Sequence, residues 1–165
     1  MKGHRMLDIT DVPQRYVVGL RGTATQAEIQ QTLEHAYSKT AQALGQAQTP
    51  PGTCCCYYFS PGPNFDLFAG FEFDADRLDQ VQAAANEHGL AIHHFPPSSA
   101  VTTTHNESYD SLAQAWVDFS EAVQKLPDAR SEGAAEMMTW EEYISSPTPE
   151  NPEAPFITKL YWSLG

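Results

Sequence analysis

Positive charge is scarce in this sequence. Its 165 residues carry 9 Lys and Arg against 21 Asp and Glu, a formal charge of −12 at pH 7. A field of that sign repels phosphate backbones and anionic bilayers wherever salt does not screen it, which argues against nucleic acid or a lipid surface as a direct partner. The same field attracts cations, although an acidic surface is also the ordinary way a folded chain resists aggregation. Long apolar runs are missing too. The start, Met1-Lys2-Gly3-His4-Arg5-Met6, has no apolar stretch of signal-peptide length, and nothing later approaches the roughly 20 apolar residues of a membrane span. The expectation is a cytoplasmic protein.

Cysteine is nearly absent, and Cys54, Cys55 and Cys56 are consecutive. On an extended strand neighbouring side chains point to opposite faces and cannot close an unstrained disulfide. Structural zinc sites space their thiols by about two to four residues and need a second pair elsewhere. The three are therefore read as reduced, buried small side chains. Of six histidines, His93 and His94 are adjacent on opposite strand faces and His105 stands alone, so no metal set forms and no cofactor is expected. A glycine-rich phosphate loop is lacking, as is a serine or cysteine with a base at a recognisable spacing.

What is present is a pattern that repeats. Ile9–Arg21 contains Arg15-Tyr16-Val17-Val18-Gly19-Leu20, a strand ending at Gly22. Thr25 and Glu28 have capping-box spacing, and Ile29, Leu33, Ala36, Tyr37 and Leu44 recur at helical intervals, predicting a helix over 25–45. Proline and glycine breaks at 50–52 and 61–64 frame two strands, Cys54–Phe59 and Phe65–Phe73. A short linking helix over Asp76–His88 stops at Gly89. The order then starts again. Leu90–His105 is extended and bent at Pro96-Pro97. Tyr109, Leu112, Trp116, Phe119 and Val123 stripe a helix over 109–126 that Pro127 ends. Glu136–Ile144 and Phe156–Leu164 follow as strands, separated by the proline-rich loop 146–152. The prediction is one α+β domain over residues 1–165, built as two strand-helix-strand-strand repeats in a mostly antiparallel sheet, with a ligand cleft between the halves.

Three segments carry a resemblance: His105-Asn106-Glu107-Ser108-Tyr109, then Trp140-Glu141-Glu142-Tyr143-Ile144 with Pro147, and the ending Ile157-Thr158-Lys159-Leu160-Tyr161-Trp162. In order and spacing the sequence resembles the GyrI-like family, which includes effector-binding domains of AraC-type and MerR-type regulators, and the likeness covers nearly the whole chain. Glu141 and Tyr143 match the family's Glu-x-Tyr strand. Glu107 replaces the usual glycine of the helix start, and Lys159 stands where the closing strand usually has an acid. The resemblance implies a pocket with a buried glutamate for cationic lipophilic ligands.

Strand alternation puts Glu141 and Tyr143 on one face and Trp140, Glu142 and Ile144 on the other. A carboxylate among aromatic rings is costly to ionise, and a ligand cation relieves that cost by pairing with it. Tyr57, Tyr58, Phe71, Trp116, Trp140 and Tyr161 are candidates for stacking and cation–π contact, worth roughly 0.5–2 kcal/mol each; for Trp116 and Phe119 the helical spacing favours a core role, since packing alone explains it. The function expected is binding of a cationic, aromatic, drug-like small molecule, as a sensor or sequestering protein with a possible regulatory protein partner, since no helix-turn-helix segment is visible. The resemblance implies two alternatives beside it: hydrolysis of strained electrophiles, as in some members of the family, with Glu141 as general base, and inhibition of DNA gyrase, on which the family's namesake acts, by an acidic surface that competes with DNA.

Overall fold

A computed structural model describes residues 7–60, 62–126 and 138–164. The run expected as one strand over Ile9–Arg21 is two, β1 (Asp8–Val12) and β2 (Arg15–Thr25). Pro13 lies between them, and a residue without an N–H interrupts a ladder. Contacts along the chain divide at that proline and again at Pro97. Residues Pro13–Pro97 make one compact unit, and the residues up to Val12 make a second with those from Ser98 onward.

In the first unit β3 (Cys54–Tyr58), β4 (Asn64–Phe73), β2 and β5 (Ala91–Phe95) pair antiparallel in that order. Helices α1 (Ile29–Gln46) and α2 (Leu78–His88) cover one face. Val18, Leu44, Phe73, Val81, Ala85 and Leu90 form the core beneath them, with Tyr16 and Phe71 packed against it. The Glu28 carboxylate accepts from the Thr25 N–H at 3.1 Å and its hydroxyl at 3.0 Å, so the expected capping pair shapes a turn and α1 opens at Ile29. Gly89, at φ 68°, ends α2 in the left-handed region that favours glycine.

In the second unit the antiparallel order is β1, β6 (Ser98–His105), β8 (Ile157–Ser163), β7 (Thr139–Ser145). A 3₁₀ turn over Tyr109–Ser111 leads into α3 (Leu112–Gln124). Ala115, Phe119 and Val123 of α3 pack on Val101, Leu160 and Trp162. The strand expected from Glu136 begins at Thr139; Glu136 and Pro127 lie outside the described residues.

The two units repeat one plan. The series β2-α1-β3-β4 and β6-α3-β7-β8 place the third strand of each repeat between the other two, and each adds an antiparallel strand, β5 on β2 and β1 on β6. The α+β class and the two repeats are as the sequence predicts. Among the described residues no helix is long and apolar enough to cross a membrane.

Candidate functional site

Alternation along β7 decides which side chains meet. Glu141 and Tyr143 lie opposite Leu160 and Thr158 on the face that α3 covers. Trp140 and Glu142 lie opposite Tyr161 and Lys159 on the other face. Glu141 is only 2% exposed. Its Oε2 accepts from the Trp116 indole N–H at 2.5 Å, and its Oε1 accepts from the Tyr143 hydroxyl. Both oxygens of this buried carboxyl group are thus held by aromatic donors.

Around it, the Tyr143 ring meets Tyr109 edge-on at 5.9 Å, and Tyr109 meets Phe156 at 5.3 Å. Trp116 meets Phe119 edge-on at 5.6 Å, so it serves the α3 core and Glu141 together. Buried His105 lies with Nε2 3.1 Å from the Ser111 hydroxyl and 3.2 Å from the Ser108 carbonyl, tying the turn before α3 to β6. Glu107, in the place of the expected glycine, accepts from Ser111 at 3.2 Å.

The other aromatic candidates have ring and hydrogen-bond contacts of their own. Trp140 and Tyr161 stack nearly parallel, 4.7 Å apart and 4° from coplanar, on the opposite face of the same strands. The Tyr161 hydroxyl donates to Glu142 at 3.0 Å. Tyr57, Tyr58 and Phe71 belong to the Pro13–Pro97 unit. Tyr57 stacks on Phe95 at 4.2 Å and accepts from Arg15 Nε at 2.7 Å. Burial raises its phenol far above the ordinary value, with Arg15 opposing. Phe71 packs against the core under α1, edge-on to Tyr37, and Tyr58 is edge-on to Phe65. Along β7 the candidates alternate between two faces of the sheet, because a period of two sends adjacent strand residues to opposite sides. Tyr109, not among the candidates, meets Tyr143, and Phe156 meets Tyr109; the Tyr109 position in the helix-start motif was the available signal. Among the described residues no three His, Cys, Asp or Glu side chains are grouped to hold a metal ion.

Two helix-backed repeats of the same strand order define an α+β fold with one plan used twice. The chain belongs to the GyrI-like family: the profile of the GyrI-like small molecule binding domain matches residues 6–164. No curated protein matches it by sequence. Among solved structures it is similar to the C-terminal domain of EcmrR, with TM-score 0.69, 16% identity and 96% of each chain covered. Against EcmrR in its DNA complex, at 18% identity and TM-score 0.67, 95% of this chain is covered and it spans 56% of that chain. SAV2435 bound to tetraphenylphosphonium aligns at TM-score 0.66 and 11% identity, over 96% of this chain and 93% of that one. A hydrolase encoded by lin2189 from Listeria innocua aligns at TM-score 0.60 and 15% identity, over 96% and 91%.

Proposed function

We propose that this chain binds an amphipathic, aromatic cation with Glu141 as the anionic anchor and Trp116 and Tyr143 as its aromatic neighbours, and so senses or sequesters drug-like molecules in the cytoplasm. The carrying observation is the buried Glu141 carboxylate held by two aromatic donors. Tetraphenylphosphonium bound by a protein of the same fold supports the ligand class. A second reading, general-base hydrolysis, is favoured by the Listeria innocua hydrolase of this fold. The two donors weigh against it, since a hydrogen bond to each oxygen lowers the basicity that proton abstraction needs.

The test is calorimetric titration of tetraphenylphosphonium and a neutral aromatic of similar size into wild type and Glu141→Gln. Glutamine keeps the shape: its carbonyl oxygen still accepts from Trp116, and the Tyr143 hydroxyl turns to accept from the new amide. The cation is expected to lose about 2–4 kcal/mol of affinity, as when one partner of a buried charge pair is truncated. The neutral ligand should bind the variant at least as well, because the desolvation cost of the carboxylate is gone. Unchanged cation affinity would remove Glu141 as the anchor, and turnover of an alkylating electrophile lost in the same variant would favour the hydrolase.

A further inference from the structure

The two helices of the Pro13–Pro97 unit end in the same left-handed backbone with different residues. α2 ends on Gly89 at φ 68°, and past α1 the chain turns at Gln48, at φ 52°. The Gln48 N–H donates to the Gly45 carbonyl at 3.1 Å, and the Thr49 N–H to that of Leu44 at 2.9 Å. That pair of bonds is the Schellman closure, whose left-handed position is usually glycine because a Cβ is strained there. α1 carries its glycine earlier. Gly45 lies inside the helix, where an added Cβ would meet nothing within 4 Å. Closing the helix therefore does not call for a side chain at position 48, and strain held at a non-glycine residue is characteristic of positions where the side chain is used.

Gln48 lines a cavity of about 300 Å³ between the end of α1 and one side of α2. That volume lies at the lower end of small-molecule sites, roughly 300–1,000 Å³. Alanines form its floor: Ala84 is buried and Ala47 half-buried, with Ala83 beside them. Its walls are polar. Gln46, Gln48 and Gln80 supply amides, and Glu87 supplies a carboxylate. The carboxylate is tethered, because Gln46 donates from Nε2 to Glu87 Oε2 while its Oε1 accepts from His88 Nε2 at 2.7 Å. One side chain of α1 thus grips two consecutive residues of α2. The carbonyl end of α1 adds partial negative charge, and no basic residue in its last turn offsets it.

We propose that this cleft is a second ligand site, for a small polyhydroxylated amine of the amino-sugar kind. Its ammonium pairs with Glu87, its hydroxyls bond to Gln48 and Gln80, and the C–H face of its ring lies on the alanines. An amide offers a donor and an acceptor together, which suits a hydroxyl, itself both. The carboxylate and the carbonyl end of α1 select a cation over an anion. Glutamine and alanine give a flat aromatic ion nothing to stack on, so this ligand class differs from the one proposed for Glu141, which lies in the other unit. Gln48 holds a strained place because its amide is a ligand contact, and Gln46 positions the carboxylate.

The experiment follows backbone amide NMR shifts at pH 7 while glucosamine, glucose and cyclohexylamine are titrated into wild type, Gln48→Gly, Gln80→Ala and Glu87→Gln, with thermal melts of each protein. Glucose keeps the hydroxyls without the charge, and cyclohexylamine keeps the charge without the hydroxyls. Glucosamine is expected to bind wild type tightest, with its shifts concentrated at Ala47, Ala83 and Ala84. Gln48→Gly should melt above wild type, because the strain is relieved, and should bind glucosamine about three- to ten-fold more weakly through the loss of one hydrogen bond. Gln80→Ala, at an exposed helix position outside the closure, should weaken glucosamine by a similar factor and carries the comparison should Gln48→Gly rearrange the end of α1. Glu87→Gln should bring glucosamine down to the level of glucose. A Gln48→Gly protein that melts higher yet binds glucosamine unchanged, or that binds it less without melting higher, overturns the proposal. Glucosamine binding to wild type no tighter than cyclohexylamine or glucose, or shifts scattered over the acidic surface, overturns it as well.

Discussion

His93 lies against Phe68, the ring centroids 4.2 Å apart and 25° from parallel, on the face that also carries Arg21. Burial, and then the Arg21 charge, hold its imidazole below the ordinary histidine value of 6.5. The unfolded chain therefore takes up a proton that the folded chain resists. Stability linked to His93 is fully present above pH 6.5 and is lost as the pH falls below it toward the folded value. Urea denaturation at pH 7 and pH 5 should show wild type losing more stability between the two than His93→Gln; equal losses would assign the pH dependence elsewhere. Cys54 gives a second test at this scale. Burial pushes its thiol up to about 11, against a smaller pull from the Tyr37 hydroxyl. At pH 8 that leaves on the order of one thiolate per thousand, and only the thiolate reacts quickly. None of the three cysteines is in a disulfide, as their adjacency in the sequence implies. A thiol reagent should find Cys54 slow in the folded protein and all three fast in urea; rapid reaction of Cys54 without urea would contradict its burial.

At the scale of the element, β2 and β4 meet at Gly19 opposite Gly70. A Cβ on Gly70 would fall 1.9 Å from the Val18 carbonyl oxygen, and one on Gly19 2.2 Å from that of Ala69. Neither position needs left-handed backbone; what each needs is room, and the obstructing atoms are backbone that cannot swing aside. Gly70→Ala is expected to cost about 3 kcal/mol or more, at the upper end of overpacking effects. Gly22, on the same strand, has nothing within 4 Å of an added Cβ, so Gly22→Ala serves as the near-neutral control. Denaturant midpoints would check the pair, and a tolerated Gly70→Ala would show that the two strands separate more easily than their spacing implies. The sequence misleads at this element because a glycine in a β-rich run reads as a stop. Gly22 was the expected end of the strand, yet β2 continues to Thr25, while the glycines with a spatial role sit mid-strand with no local mark. The helices were easier to read: Gly89 ends α2, and the stripe Phe119–Val123 faces the core under α3, because periodicity and left-handed backbone are local properties.

For the whole molecule, the twofold order of elements was legible because turn residues and periodicity repeat along the chain, and Glu141 and Tyr143 share a face because alternation needs no tertiary knowledge. The link between Trp116 and Glu141, and the contact of Tyr109 with Phe156, depend on how α3 and the loop before β8 pack, which no local pattern records. The −12 charge was visible at once but is ambiguous, since it gathers cations with or without a pocket. Ionic strength separates the two. Attraction by dispersed surface charge weakens steeply as the Debye length shrinks from about 30 Å at 0.01 M salt to about 8 Å at 0.15 M. An ion pair with a carboxylate that is 2% exposed is screened far less. Tetraphenylphosphonium titrated at those two salt concentrations is therefore expected to lose only a small part of its affinity for wild type. Residual binding to Glu141→Gln should be weak and should fall in proportion to the screening, because only the surface field remains to hold the cation. If wild type shows the steeper fall, the bound cation is held by the acidic surface as a whole, and Glu141 contributes packing instead of recognition.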